Sequence, residues 1–424
     1  MVSQVKIASE HLCSIPIVEF VTVKVIQKAQ AQDGSSLLVR LDGVMGKGIK
    51  VLIIVGTMNV GGIENQVMHL LRRANKTEFQ IDFTTTEDHP FYRDEIESLG
   101  GRCIYIPGTD GKHFIRYCRA LFRVINDGHY DIVHSHELFH SGLVLLVARL
   151  AGVKHRFVHA HNWMEGEDPK ARKSLVRRIY NRVMQRLIQW NATDFIACSS
   201  LAGRFLYGEK ITKRDNYHLV YNSVDTSRFI ENYDKTETGE FCDDGWENVI
   251  QVGRFTPVKN QLFTAEVVRE LKRRGRNIRV LCAGNTGGEY DERVKERIKE
   301  YGIEEEMILL GVRKDIDVLM RKSSAFLLPS LYEGMPLVLI EAQASGLPCV
   351  TADTYSHEVD FGIGMVDWLD LDDGVAKWAD AIEKAVAAGR ADKADVVRAV
   401  EAGGFDSRVF ADRLCGLYKK SMRI

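Results

Sequence analysis

The sequence has no paired cysteines: its eight, at positions 13, 103, 118, 198, 242, 282, 349 and 415, show no CxxC and no spacing suited to zinc. Most lie in apolar runs such as Phe195-Ile196-Ala197-Cys198, which points to reduced, buried thiols in a cytosolic protein. There is no excess of one charge either. Lys and Arg number 57 against 58 Asp and Glu, a formal net charge of -1, so no global field gathers nucleic acid and any basic surface must be local. Long hydrophobic runs are also lacking: the best candidate, 142–153, is broken by Arg149 and falls short of the ~18 residues of a membrane span. Near the N-terminus Glu10, Glu19 and Lys24 interrupt the apolar stretch that a signal peptide requires, so the expected location is the cytoplasm. With 8 prolines and 35 glycines, disordered, collagen-like and low-complexity readings fall away. What is present is ordinary globular material: 424 residues, 45% apolar and 27% charged, enough at ~150 residues per domain for two or three domains.

From Lys50 onward short β-branched runs alternate with helical patterns, the signature of a parallel sheet with helices on both faces. Strands are expected at 50–55, 80–84, 102–106, 132–134, 156–159, 195–198 and 217–220, making one Rossmann-like domain over 49–230. Residues 231–247 are polar and acidic with no apolar period, as a connector would be. The alternation restarts with strands at 249–252, 278–283, 307–310, 325–328 and 349–351, and helices near 261–274, 289–301, 315–321 and 336–345. The expected fold class is therefore α/β: two doubly wound parallel-sheet domains, 49–230 and 248–402, facing across a cleft, then a C-terminal helix at 403–424. In such sheets strand carboxyl ends and helix N-termini turn toward the ligand. Residues 1–48 do not join the pattern and read as an N-terminal extension of unknown role, with 1–44 either an appended element or an upstream misassigned start.

The densest signal runs from Ser330 to Pro348, SLYEGMPLVLIEAQASGLP. Pro336 fits the first turn of a helix, and Gly334 lets the backbone approach a ligand closely, so free N–H groups at this terminus can hold phosphate. Glu333 and Glu341 stand eight positions apart, ~12 Å of helix rise. Alone they also read as a helix-start charge and a solvated face residue. The second domain opens with Gln251-Val252-Gly253-Arg254 and reaches Lys259 five residues later, two cations placed to clamp a diphosphate unless both are merely solvated. Asp315-Ile316-Asp317 sits at a helix start and reads as a cap. The run 55–62 lacks GxGxxG spacing, which argues against a dinucleotide cofactor.

Gly253-Arg254 with Lys259, the Glu333/Glu341 pair, and the junction run from Tyr221 through Asn222 and Asp225 to Phe229 resemble the retaining nucleotide-sugar glycosyltransferases of family 4, in that family's order and spacing. The likeness covers 49 to about 420. It implies the two-domain GT-B fold and transfer of a sugar from a nucleotide diphosphate, with retained anomeric configuration and no metal or other cofactor. It also implies roles. Arg254 and Lys259, beside Gly253, would bind the donor diphosphate and Glu341 the ribose. Glu333 would lie beside the donor sugar, with Gly334, Met335, Pro336 and Leu337 completing the donor loop. Val312 and Arg313 would frame the nucleobase through backbone contacts. Gly61 and Gly62 resemble the loop over phosphates and acceptor, and His161 a histidine near the transferred sugar. The implied catalytic set is Glu333, His161, Arg254 and Lys259. Ser223 stands where the family often has glycine, so a tighter or differently hinged turn is expected there.

Six of 13 histidines fall between 134 and 161. His-x-His puts two rings on one strand face, but no carboxylate or cysteine set completes a tetrahedral site, so no metal is expected and His134 and His136 are read as shaping the cleft or satisfying backbone. Asp168-Pro169 opens a long helix whose residues 170–190 include seven cations (Lys170, Arg172, Lys173, Arg177, Arg178, Arg182, Arg186) and no acid. Leu175, Ile179, Val183 and Leu187 repeat along it as an apolar stripe. Such a helix either docks on anionic lipid, at ~1 kcal/mol per cation, or packs its stripe on the domain.

The expected function is thus glycosyl transfer from a nucleotide sugar, UDP being favoured by resemblance alone, to a glycan or polyprenyl-linked sugar. Ala160-His161-Asn162 and the segment 341–353 resemble bacterial capsular and extracellular polysaccharide transferases, whose acceptors lie at the inner membrane face. The alternatives are a non-catalytic nucleotide-sugar-binding scaffold and a nucleotide-sugar epimerase on the same fold.

Overall fold

Alternating strands and amphipathic helices fold into two parallel sheets, as the periodicity predicts. The computed structural model describes residues 48–59, 61–108, 114–162, 175–235, 237, 239–242, 244–285 and 287–423. The first sheet contains β1 (Ile49–Ile54), β2 (Phe79–Thr85), β3 (Cys103–Tyr105), β4 (Ile132–Ser135), β5 (His155–Ala160), β6 (Asp194–Ala197) and β7 (Tyr217–Leu219), in the order β3-β2-β1-β4-β5-β6-β7. The second contains β8 (Glu247–Val252), β9 (Ile278–Ala283), β10 (Met307–Gly311), β11 (Ala325–Leu328), β12 (Cys349–Ala352) and β13 (Val366–Leu369), in the order β10-β9-β8-β11-β12-β13. All five neighbouring pairs of the second sheet are parallel, as are β2–β3, β1–β4, β4–β5, β5–β6 and β6–β7 of the first. The central strands β4, β9, β11 and β12 are buried along their whole length, as strands covered on both faces must be. The strand order reverses between β1 and β4 and between β8 and β11, which opens a crevice at the carboxyl ends of each pair.

Five helices position the site: α1 (Gly62–Arg73), α2 (Ser141–Leu150), α3 (Leu175–Asn191), α4 (Leu337–Ala344) and α5 (Ser407–Ser421). Helix α5 ends the chain's second half yet packs on the first, against α1. Its Tyr418 is fully buried, edge-on to Phe157 at 5.2 Å, with its hydroxyl 2.6 Å from His134 Nδ1. The return is stitched at the junction, where the Val224 N–H donates to the Phe405 carbonyl (2.9 Å) and the Ser407 N–H to the Val224 carbonyl (2.9 Å). One apolar cluster runs from Leu52, Val133 and Phe195 of the first half to Ile250, Phe326 and Leu339 of the second.

Two details differ from the sequence expectations. Strand β13 was not anticipated, because Asp367 and Asp370 interrupt its apolar pattern; it is a half-buried edge strand whose Asp367 pairs with Lys384 at 2.9 Å. Strand β8 begins at Glu247, inside the stretch read as connector. At the junction the Ser223 N–H donates to Gln66 Oε1 (2.7 Å), its carbonyl accepts from Gln66 Nε2 (2.7 Å), and its hydroxyl adds a bond to Gln66 that glycine would lack (3.1 Å).

Tyr418→Phe should destabilise the protein by about 1–3 kcal/mol, because it leaves the buried His134 Nδ1 without its partner. A lowered denaturation midpoint checks this; an unchanged midpoint would show that the bond contributes nothing.

Candidate active site

Lys259 and Glu333 lie on the loops that leave β8 and β11, the strands flanking the reversal in the second sheet. Their Nζ and Oε1 are 2.6 Å apart and both side chains are mostly shielded. Arg254, on the loop of Lys259, is exposed and makes no ion pair among the described residues. A Cβ on Gly284 would lie 1.9 Å from the Gly253 carbonyl, so the loops leaving β8 and β9 touch backbone to backbone beside these cations.

The loop 333–336 meets the first domain directly. A Cβ on Gly334 would lie 2.0 Å from the His161 carbonyl oxygen, so only glycine permits this approach. Asn222 Nδ2 donates to the Met335 carbonyl at 3.2 Å. A Cβ on Gly62 would stand 3.9 Å from Leu337 Cδ1, which puts the Gly61-Gly62 loop at the start of α4. Structure therefore brings together Gly61, Gly62, His161, Lys259, Glu333, Gly334, Met335, Pro336 and Leu337. Pro336 stands just ahead of α4 rather than within it, and Glu333 precedes it in a loop, so the ~12 Å of helix rise between the glutamates is not realised.

Glu341 lies on α4, half-buried, and burial pushes its carboxyl up to about 7; Asp317 reinforces this and Arg228 opposes it. Arg228 comes from the junction run and pairs with Asp317. Val312 is exposed beyond β10. Arg313 is drawn sideways to Asp315 (2.7 Å) and Glu240 (3.5 Å), so Asp315 does not cap its helix with its side chain, contrary to the reading of Asp315-Ile316-Asp317 as a cap.

Behind the loop lies a ladder of four buried imidazoles. His136 Nδ1 is 2.8 Å from His161 Nε2, and the His159 and His161 rings stack at 4.1 Å. His134 reaches Tyr418 rather than satisfying backbone. Burial drives all four toward the neutral form, His134 to about 3 and His161 to about 4. Nitrogens of His134, His136 and His159 lie within 4.8 Å of one another, and these are the residues that could hold a metal ion among those described. The set has no carboxylate or thiolate, and Tyr418 and His161 already engage one nitrogen each of His134 and His136.

Sequence reasoning missed two interdomain residues. Glu358 accepts the Ser200 N–H at 2.8 Å, clasping the second domain to the first, and Gln66 holds the junction. Neither carried a signal in one sequence, because each is a single polar residue, Gln66 on α1 and Glu358 on the short turn His357–Val359, whose partner is far away in the chain.

Residues 61–223 match the family described as Glycosyl transferase 4-like domain, and residues 240–386 match Glycosyl transferases group 1. The chain is 36% identical over 382 residues to EpsF of Bacillus subtilis (strain 168), itself named as a glycosyltransferase, covering 88% of this chain and 97% of that one. It is 31% identical over 297 residues to the capsular polysaccharide biosynthesis glycosyltransferase CapH of Staphylococcus aureus, covering 69% and 78%. It is 30% identical over 245 residues to the Escherichia coli UDP-Gal:alpha-D-GlcNAc-diphosphoundecaprenol alpha-1,3-galactosyltransferase, covering 55% and 60%. Among solved structures, a Rickettsia africae ESF-5 glycosyltransferase superposes with TM-score 0.72 at 15% identity, covering 89% of this chain and 99% of that one. Anabaena Alr3699/HepE, solved with UDP and glucose, superposes with TM-score 0.69 at 16% identity, covering 88% and 99%. These likenesses define the architecture as GT-B. The chain belongs to the group 1, 4-like glycosyltransferases.

Gly334→Ala should leave the fold intact but lift the loop from His161 and lower transfer at least tenfold, ~1.4 kcal/mol; steady-state kinetics beside a far-ultraviolet spectrum checks it. Glu341 sets a stability prediction. Its folded carboxyl binds protons more tightly than the unfolded one, so between pH 4.5 and about 7 stability falls as pH rises. Glu341→Gln should therefore raise ligand-free stability at pH 8, by up to about 3 kcal/mol, with the gain vanishing near pH 4. Equal melting of mutant and wild type at pH 8 would show the carboxyl to be solvated.

Proposed function

We propose that the protein transfers a sugar from a UDP-sugar, with retention of configuration, to a lipid-linked glycan in surface polysaccharide synthesis. The carrying observation is the Lys259–Glu333 pair at the head of α4, facing the first domain across the Gly334–His161 contact. Support for the donor and acceptor comes from the relatives: UDP and glucose in the Anabaena structure's title, a diphosphoundecaprenol-linked acceptor in the Escherichia coli enzyme's name, capsular polysaccharide in CapH's.

On this reading Arg254 and Lys259, beside Gly253, hold the diphosphate, with free N–H groups at the start of α4 assisting as the leaving group gains charge. Arg254 is exposed and ready for an anion. A diphosphate arriving at Lys259 competes with Glu333 for the ammonium and frees that carboxylate toward the donor sugar. His161, neutral through burial, donates a hydrogen bond to the sugar rather than a proton. Glu341 binds the ribose hydroxyls, and Val312 and Arg313 frame the base through backbone. Gly334, Met335, Pro336 and Leu337 line the donor, and Gly61 and Gly62 cover phosphates and acceptor. Closure excludes water that would hydrolyse the donor. The acceptor's lipid places the reaction at the inner face of the cell membrane, with the protein peripheral to it. No helix among the described residues is long and apolar enough to cross a membrane.

Calorimetric titration in chelator-treated buffer tests this. Wild type should bind UDP in preference to GDP and ADP, Glu341→Ala should weaken binding at least tenfold, ~1.4 kcal/mol, and Glu333→Ala should lower turnover with little change in nucleotide affinity. A folded wild type that binds none of the three nucleotides would defeat the reading.

A further inference from the structure

Helix α3 carries its apolar residues on the wrong side for a packed helix. Met184, Ile188 and Asn191 form its buried face. There the helix comes so near α2 that a Cβ on Gly142 would meet the Met184 carbonyl at 2.5 Å. Yet Leu175, Val176, Ile179, Val183 and Trp190 are 67, 77, 57, 49 and 68% exposed. At 3.6 residues per turn these five fall on one strip about 100° wide, centred about 130° round the helix from the buried face. Only Leu187 of the expected stripe packs on the core. Arg178, Arg182 and Arg186 follow one edge of the strip at four-residue spacing, all exposed, and α3 contains no acidic residue. The further cations read on this helix, Lys170, Arg172 and Lys173, with the Asp168-Pro169 start, lie outside the described residues.

We propose that α3 lies in the plane of an anionic bilayer surface, with Leu175, Val176, Ile179, Val183 and Trp190 dipping to the acyl boundary and the arginine row on lipid phosphates. Bulky apolar side chains bordered by unscreened cations fit this interface, and Trp190 has the amphipathic ring that settles at headgroup depth. A second copy of the chain is disfavoured by charge, since it would set arginine row against arginine row. The placement also orients the enzyme. The same helix packs on the turn Leu138–His140 that follows β4, where the Tyr180 hydroxyl lies 3.4 Å from His140 Nδ1. A bilayer under α3 is therefore next to the carboxyl end of β4, the edge where the first sheet opens its crevice. This deepens the proposed use of a lipid-linked acceptor and rests on it for its purpose, though the docking is measurable alone.

The test is flotation of the full chain with vesicles of phosphatidylcholine alone or with 30% phosphatidylglycerol, at low and physiological salt. Wild type should float with the anionic vesicles only, and less at higher salt. Val176→Ser/Ile179→Ser/Val183→Ser and Arg178→Glu/Arg182→Glu should each cut the bound fraction at least tenfold while leaving UDP titration and melting temperature unchanged. Absence of wild-type binding at low salt, or equal binding by the variants, overturns the proposal. So does a wild-type dimer in gel filtration that the serine variant abolishes, which would assign the strip to a second copy. Failure of UDP binding with flotation intact would instead count against the donor reading, so the two can fail separately.

Discussion

The working geometry depends on one backbone contact, the seat of Gly334 against the carbonyl of His161. It sets the loop after β11 directly against the segment that leaves β5, and it has no room for a Cβ. Because the loop is fixed at that point, Glu333 one residue earlier and the start of α4 three residues later take their places relative to the first domain. The polar links from Asn222 to Met335 and from Glu358 to Ser200 flank the contact and resist sliding. Hydrophobic burial alone would hold the halves together without fixing their register, since it is non-directional.

The electrostatics of the site follow from that closeness. Shielding raises the cost of any charge without a partner, so the imidazoles stay neutral and the Glu341 carboxyl is pushed up to about 7. Glu333 has a partner, the Lys259 ammonium at 2.6 Å. The ligand-free site thus contains one satisfied carboxylate and one held at a cost in stability. A ligand that offers hydroxyl donors to Glu341 recovers that cost, which is why stability and binding should move in opposite directions when the residue is altered. On the proposed reading, the interaction that weakens the empty protein would be the one that favours its ligand.

Much of this was legible in the sequence, and the reasons are local. Strand and helix periodicity is imposed by the sheet's own burial, so β9, β11 and the helix Glu289–Tyr301 fall where the pattern places them. The motif around Gly334 was readable because steric exclusion and helix initiation leave characteristic residues at fixed offsets. What was not legible is what the chain does at long range. Tyr418 meets His134 across 284 positions, and Gln66 meets Ser223 across 157, with no pattern in between to announce either. Asp315 illustrates the opposite failure: a carboxylate at a helix start that reads as a cap has its side chain drawn to Arg313 instead, at 2.7 Å.

The two faces of α3 show how far pattern alone reaches. Leu175, Ile179, Val183 and Leu187 form a sound amphipathic stripe, and by periodicity it should be the face that packs. Structure inverts this for the first three because the packing face is set by backbone proximity: Gly142 lets α2 and α3 approach at Met184, and that choice of face carries Ile188 inward and Ile179 outward. An apolar strip left outside costs solubility, and folding supplies no reason to keep it. Docking on a bilayer, as proposed above, would give the strip and the arginine row a role together, on a helix that packs against the turn following β4.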